Sequence, residues 1–299
     1  MNGDPLRTLL EQLTPSKEKV DAYLTDTYLL ETVDQTRRLG IDTERFAAEH
    51  ALLLLKPDAI VARAVEPTLR WLSDNDFRVV EARRVVVDRH VARALWYFAW
   101  NIASPERRRL ADLLVGISDV LVLVVHGPVG ELPTSVRLTA SKGATDPRKR
   151  QPGELRHLLG RHNYLLNLVH SPDDPADVLR ELAIYFDEHE RAELFARAAD
   201  GTDRSGVAAA LAEELYAVTP ARSFDRAEAL AGVCDALGRT APESDAEQAT
   251  LLNTAWSAGR DLDPWSTIVL GSHVLPMRTG TGSQTLRPVG ATDWLEARP

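Results

Sequence analysis

Residues 140–156, ASKGATDPRKRQPGELR, place Lys142, Arg148, Lys149, Arg150 and Arg156 in one polar stretch with the hydroxyl of Thr145. Guanidinium groups and hydroxyls converging on a loop suit phosphate oxygens, because charge-assisted forks bind them with direction as well as strength. Gly143 and Gly153 would let the backbone approach a ligand closely. A solvated basic loop fits the same composition. Further on, residues 163–174 read NYLLNLVHSPDD, with His170 at the end of an apolar run. Asn167 lies three positions before it, and Glu181 falls where a following helix is expected. A carboxylate that accepts one imidazole N–H fixes the tautomer and leaves the other nitrogen's lone pair free to attack phosphorus. That is chemistry for a phosphohistidine. The chain has eight histidines, however, and one at a strand end serves equally as a hydrogen-bonded core or surface residue.

Elements to hold these residues are visible in the hydrophobic pattern. ALLLLKPDAI begins with five apolar residues, 51–55, and stops at Lys56-Pro57-Asp58, as a buried strand halted by proline does. A helix is expected over 65–72, a strand over 77–87, and helical turns over 91–115, interrupted near Ser104-Pro105. DVLVLVVHG, 119–127, reads as a buried strand rich in Val and Leu. A short helix near Ser135, a polar loop over 141–153, a strand over 163–170 and a helix over 175–186 complete the series. Strands alternating with helices predict one sheet covered by helices, in the α/β or α+β class. Residues 1–50 have the spacing of two or three helices, and amphipathic stretches recur at 207–216, 227–237 and 246–258. From Asp261 onward the chain is rich in Gly, Thr and Pro, with no clear period, and is expected to be irregular.

At 299 residues the chain exceeds what one hydrophobic core usually serves. A net charge of −9 gives no bulk positive field for nucleic acid or an anionic membrane, so any polyanion site must be local. One cysteine, Cys234, leaves no intrachain disulfide and no multi-cysteine zinc site. No stretch has the roughly 20 apolar residues of a membrane span, and the first 20 residues lack the apolar run of a signal peptide. The expectation is a cytoplasmic protein with neither nucleic acid nor membrane as partner.

Taken in order, Lys56-Pro57-Asp58, Thr145-Asp146-Pro147, Pro152-Gly153-Glu154-Leu155-Arg156, Asn167-x-x-His170 and Glu181 resemble the nucleoside diphosphate kinase family. The resemblance runs from about residue 51 to 186. It implies a ferredoxin-like βαββαβ sandwich with an antiparallel sheet, flanked here by N-terminal helices (1–49) and a helical C-terminal extension (191–299), so that 50–190 is the kinase-like domain. It also implies ping-pong transfer of the γ-phosphate of ATP or another nucleoside triphosphate, through a histidine, to a nucleoside diphosphate or a related phosphorylated small molecule. Mg²⁺ would be held through the phosphates and by no protein metal site. Carried over by position, His170 is the phosphorylated nucleophile and Glu181 its orienting partner. Lys56, Arg137, Thr145 and Arg156 would hold phosphates, and Asn167 and Lys56 the ribose hydroxyls. The family's hexamers imply a homo-oligomer, and the long extensions leave a dimer equally open.

The departures are specific. The family's Gly-Ser-Asp after the histidine is Ser171-Pro172-Asp173 here, and the Arg137 to Thr145 interval is two residues longer than the family's. In residues 95–116 no aromatic matches the base-stacking phenylalanine, while Trp96 and Tyr97 are candidates for the nearby tyrosine position and for lid or base contacts. With His170, Asn167 and Glu181 in place, the pattern points to altered nucleotide choice. The alternative is a regulatory module that binds nucleotide without turning it over. Arg107-Arg108-Arg109 reads as a solvated helix face or a phosphate-facing cluster, and Asp173, Asp174 and Asp177 as helix N-terminal charges. Trp256, Trp265 and Trp294 read as packing residues.

Overall fold

Strand β1, His50–Leu55, is buried along its whole length because both faces of its sheet are covered. The computed structural model describes residues 4–127, 130–160 and 163–297. Four strands, β1, β2 (Arg78–Val85), β3 (Val120–His126) and β4 (Val169–His170), form one sheet in the order β2-β3-β1-β4, with every pair antiparallel. That is the ferredoxin-like order. Between β1 and β2 run the helices Pro57–Val61 and Val65–Asp74, and between β3 and β4 runs Thr134–Lys142. Leu69 and Leu72 of the first crossover and Leu138 of the second pack on the same face, against Leu53, Leu55 and Leu123. The C-terminal helix Ser205–Val218 shares that face through Ala208, Ala212 and Leu215.

The opposite face carries Leu52, Leu54, Val122 and Val124, covered by the helix Pro175–Tyr185 and by the N-terminal region. That region forms four helices, Pro5–Leu13, Lys17–Tyr23, Thr27–Arg38 and Thr43–Glu49, where the spacing predicted two or three. Asp and Ser residues cap each start, which explains how four short helices fit into so few residues. The connection from β2 to β3 folds into Arg89–Leu95, a 3₁₀ segment Tyr97–Ile102, and Pro105–Val115, whose N-cap is Ser104.

Two expectations are corrected. The apolar run at 163–170 is strand only at its last two residues. The Asn163 side chain accepts the N–H groups of Leu165 and Leu166, Asn167 donates to the Tyr164 carbonyl, and Leu168 adopts a φ of +69°. The asparagines thus supply turns that compete with pairing. The segment after Asp261 is also not wholly irregular: Pro264–Val274 is a helix whose Ile268, Val269 and Leu270 are buried among the helices Pro105–Val115, Arg226–Leu237 and Asp245–Ser257. Beyond it the chain is strapped along the 3₁₀ segment, with Thr285 donating its N–H to Phe98 and Thr279 to Ile102.

Candidate active site

His170 ends β4, and four residues later Asp174 caps the helix Pro175–Tyr185 by accepting the Asp177 N–H. With Pro175 at the first helical position, the helix start is fixed, and Glu181 is carried back over the strand end. His170 Nε2 lies 2.9 Å from Glu181 Oε1. The carboxylate needs a donor, so Nε2 carries the proton and Nδ1 keeps its lone pair. Burial pushes the Glu181 carboxyl up, an effect that the His170 ring opposes. The Trp96 indole stands edge-on to the imidazole, with ring centroids 5.4 Å apart.

The ring sits at the wall of a cavity of about 290 Å³. Among the basic side chains that line it are Lys56 after β1, Arg107 on Pro105–Val115, Lys142 at the end of Thr134–Lys142, and Arg156 on the helical turn Leu155–Leu158. Arg156 is fixed by donation to the carbonyls of Gly143 (2.9 Å) and Val169 (2.7 Å) and to Thr145 Oγ1 (3.2 Å). Lys56 donates to the Leu165 carbonyl at 3.0 Å and lies 3.4 Å from Asp58, whose other task is to accept the Leu168 N–H. Lys142 donates to Ser171 Oγ at 2.6 Å. Burial lowers the pKa of all four, that of Arg156 to about 10 and that of Lys142 to about 7. Cations gathered out of water and held below their ordinary values gain most from an incoming polyanion.

The extensions complete the wall. Lys19, on the N-terminal helix Lys17–Tyr23, is 2% exposed and pairs with Asp174 at 2.8 Å and Asp177 at 2.9 Å, while Tyr23 donates to Asp177. From the other end of the chain, Leu286 and Arg287 line the same cavity.

Residues 49–191 match the family model described as nucleoside diphosphate kinase. The nucleoside diphosphate kinase of Thermococcus kodakarensis is 30% identical over 154 residues, which cover 51% of this chain and 84% of that protein. That of Thermomicrobium roseum is 32% identical over 145 residues, 48% of this chain and 90% of its own. The chain belongs to the nucleoside diphosphate kinase family. A solved structure of the Halobacterium salinarum nucleoside diphosphate kinase, in complex with CDP, is 22% identical and covers 48% of this chain and 90% of its own, with a TM-score of 0.41.

Of the positions carried over from the nucleoside diphosphate kinase pattern, the fold brings His170, Glu181, Lys56, Thr145, Arg156 and Asn167 to one cavity, together with Trp96. Arg137 is not brought there. It lies outside the cavity lining, with its guanidinium 4.4 Å from the centroid of the Phe77 ring. The helix that carries it presents Lys142 to the cavity instead. Tyr97 also lies outside the lining: it is 66% exposed and packs its ring edge-on against Phe98. Tyr23, Phe98, Trp100 and Tyr164 are the aromatics that line the cavity with Trp96. The basic loop divides: Arg148 pairs with Asp146 in solvent, and Arg150 staples the loop through the carbonyls of Ala144, Thr145 and Asn163. Arg107 faces the cavity over Tyr164, whereas Arg109 lies over Trp256, so the triple arginine is not simply a solvated face. Sequence reasoning left Lys19 and Tyr164 without a role in the site. Lys19 had no motif around it, and Tyr164 stood inside an expected strand.

Proposed function

We propose that this chain moves the γ-phosphate of a nucleoside triphosphate, with ATP as donor, through a phosphohistidine at His170 to a nucleoside diphosphate or a related phosphorylated metabolite. The observation that carries this reading is the 2.9 Å contact from His170 Nε2 to Glu181 Oε1, which aims Nδ1 away from the carboxylate at the wall of a cavity whose lining includes Lys56, Arg107, Lys142 and Arg156. In the first half-reaction the Nδ1 lone pair forms the N–P bond as the bond from phosphorus to the β-phosphate oxygen breaks, and the nucleoside diphosphate leaves with that electron pair. In the second, an oxygen of the acceptor's terminal phosphate attacks phosphorus and the pair returns to Nδ1. Glu181 balances the positive charge that grows on the ring in the first step and fades in the second.

Lys56, Arg107 and Arg156 supply the fixed positive charge that phosphoryl transfer needs, since its catalysis rests on positioning and electrostatics. Mg²⁺ enters as part of the nucleotide substrate. The cavity's basic side chains suit phosphate oxygens, and among the described residues no group of three or more His, Cys, Asp or Glu is arranged to hold a metal. When bound, the ion would neutralise charge on the phosphates. We place the transfer chemistry in residues 50–190 and the walls in the two extensions, and the protein in the cytoplasm as a homo-oligomer. No described helix is long and apolar enough to cross a membrane.

Steady-state transfer from ATP to a panel of nucleoside diphosphates and phosphorylated metabolites tests the reading. It expects at least one acceptor to give parallel double-reciprocal lines. Intersecting lines for every active acceptor would exclude a covalent intermediate, and binding without transfer to any acceptor would favour a regulatory nucleotide-binding module.

A further inference from the structure

We propose that Lys142 is a further catalytic residue of this cavity, the cation that meets the phosphoryl group in flight between nucleotide and His170. The inference rests on the phosphohistidine reading above and adds a residue that the family pattern does not supply. Lys142 is the last residue of the helix Thr134–Lys142, and its chain turns at once through Gly143, whose φ is +88°. That φ favours glycine, and a Cβ there would also lie 2.9 Å from Glu154 Cβ, which holds the exit tight. The turn leaves Lys142 4% exposed and directs Nζ to Ser171 Oγ, the residue next to His170. That hydroxyl lies in turn 2.8 Å from Thr139 Oγ1.

Three buried lysines line the cavity and differ in partners: Lys56 lies 3.4 Å from Asp58. Lys19 is held by the carboxylates of Asp174 and Asp177. No ion pair within the described residues involves Lys142, whose hydrogen-bond partner is a neutral hydroxyl. A buried charge without a counter-charge is costly, and a group in that state accepts an anion readily. Its charged neighbours are Arg156 on the turn Leu155–Leu158, Asp173 in the loop after β4 and Glu181 on Pro175–Tyr185, with the titratable His170 on β4 itself. Burial and Arg156 bring its pKa down to about 7, against the pull of Asp173 and Glu181. A phosphoryl group entering the cavity restores the charged form. As the N–P bond forms and the P–O bond breaks, the ammonium keeps its protons and donates hydrogen bonds to the non-bridging oxygens.

The test is single-turnover labelling of the full chain with subsaturating γ-labelled ATP and Mg²⁺ between pH 5.5 and 9, for wild type and Lys142→Met, beside thermal unfolding without nucleotide. The variant is expected to melt at or above the wild-type temperature, because a burden on the empty protein has been removed. It should take label on His170 about 100-fold or more slowly, the usual scale for losing one donor to developing charge. Wild-type labelling should fall as pH rises through about 7, and the variant should lack that limb. Labelling at the wild-type rate, an unchanged alkaline limb, or a melting temperature well below wild type (including failure to fold) overturns the assignment while leaving the histidine route standing. A wild-type chain that takes no label overturns the reading beneath it instead.

Discussion

Replacing Lys19 by methionine removes the cation paired with the buried Asp174 and the part-buried Asp177 beside the end of β4. Asp174 is fully buried, and its pKa is already raised to about 6 by burial even with Lys19 at 2.8 Å. Breaking such a pair from one side typically costs about 3–5 kcal/mol. Asp174 keeps the Thr14 hydroxyl at 2.7 Å and the Asp177 N–H at 3.0 Å, and Asp177 keeps Tyr23, so the lower end of that range applies. At about 2–4 °C per kcal/mol, the melting temperature should fall by roughly 6–12 °C at pH 8. The deficit should depend on pH with a definite sign. Without Lys19 the folded-state pKa of Asp174 rises further above the ordinary 3.8, so between the two values the folded chain holds a proton that the unfolded chain does not. Stability of the variant therefore falls as pH rises through that window, and the gap to wild type narrows to about 1–2 kcal/mol at pH 5. Urea unfolding at pH 5 and pH 8 measures both numbers. A loss below about 1 kcal/mol at pH 8, or an equal loss at the two pH values, would refute the idea that Lys19 neutralises a buried acidic pair.

Three further perturbations separate parts of the account. Glu181→Gln keeps an acceptor for His170 Nε2 but loses the charge, which should cost about 1 kcal/mol, or roughly five-fold in kcat with little change in KM. Arg137→Ala should leave transfer kinetics within about two-fold of wild type, because its guanidinium sits over Phe77, outside the cavity; a large rise in KM would return it to the phosphate site. His50 is 6% exposed and burial drops its pKa to about 4 from 6.5, so the unfolded chain alone binds the proton between those values. Stability should therefore fall by up to about 3 kcal/mol as pH drops from 6.5 to 4, and His50→Leu should remove that slope from a urea titration.

How much of this was legible in the residues depends on what each one answers to. β1 and β3 stood out because both faces of the sheet are covered, which makes their sequences almost continuously apolar. The pairing of His170 with Glu181 was readable from spacing, since Asp174 and Pro175 fix where the helix between them starts. The strand at 163–170 was not, because two asparagines satisfy the local backbone before a neighbouring strand can. Pro264–Val274 hid for the opposite reason. Packed against three other helices, it buries residues 267–271 in an unbroken run, which shows no 3.6-residue period. Arg137 and Lys142 lie five residues apart on one helix, about 140° around its axis, so the helix turns only Lys142 to the cavity, which chain position alone does not reveal. The contributions of Lys19 and of the strap near Leu286 come from chain ends brought in by tertiary packing, which no local pattern encodes.

The most direct measurement is the chemistry of the labelled protein itself. Incubated with γ-labelled ATP and Mg²⁺, the wild-type chain should acquire an acid-labile, alkali-stable phosphoryl group that is absent from His170→Ala and is discharged when a competent acceptor is added. A wild-type chain that binds nucleotide and stays unlabelled, or a His170→Ala chain that still takes the label, would contradict the account.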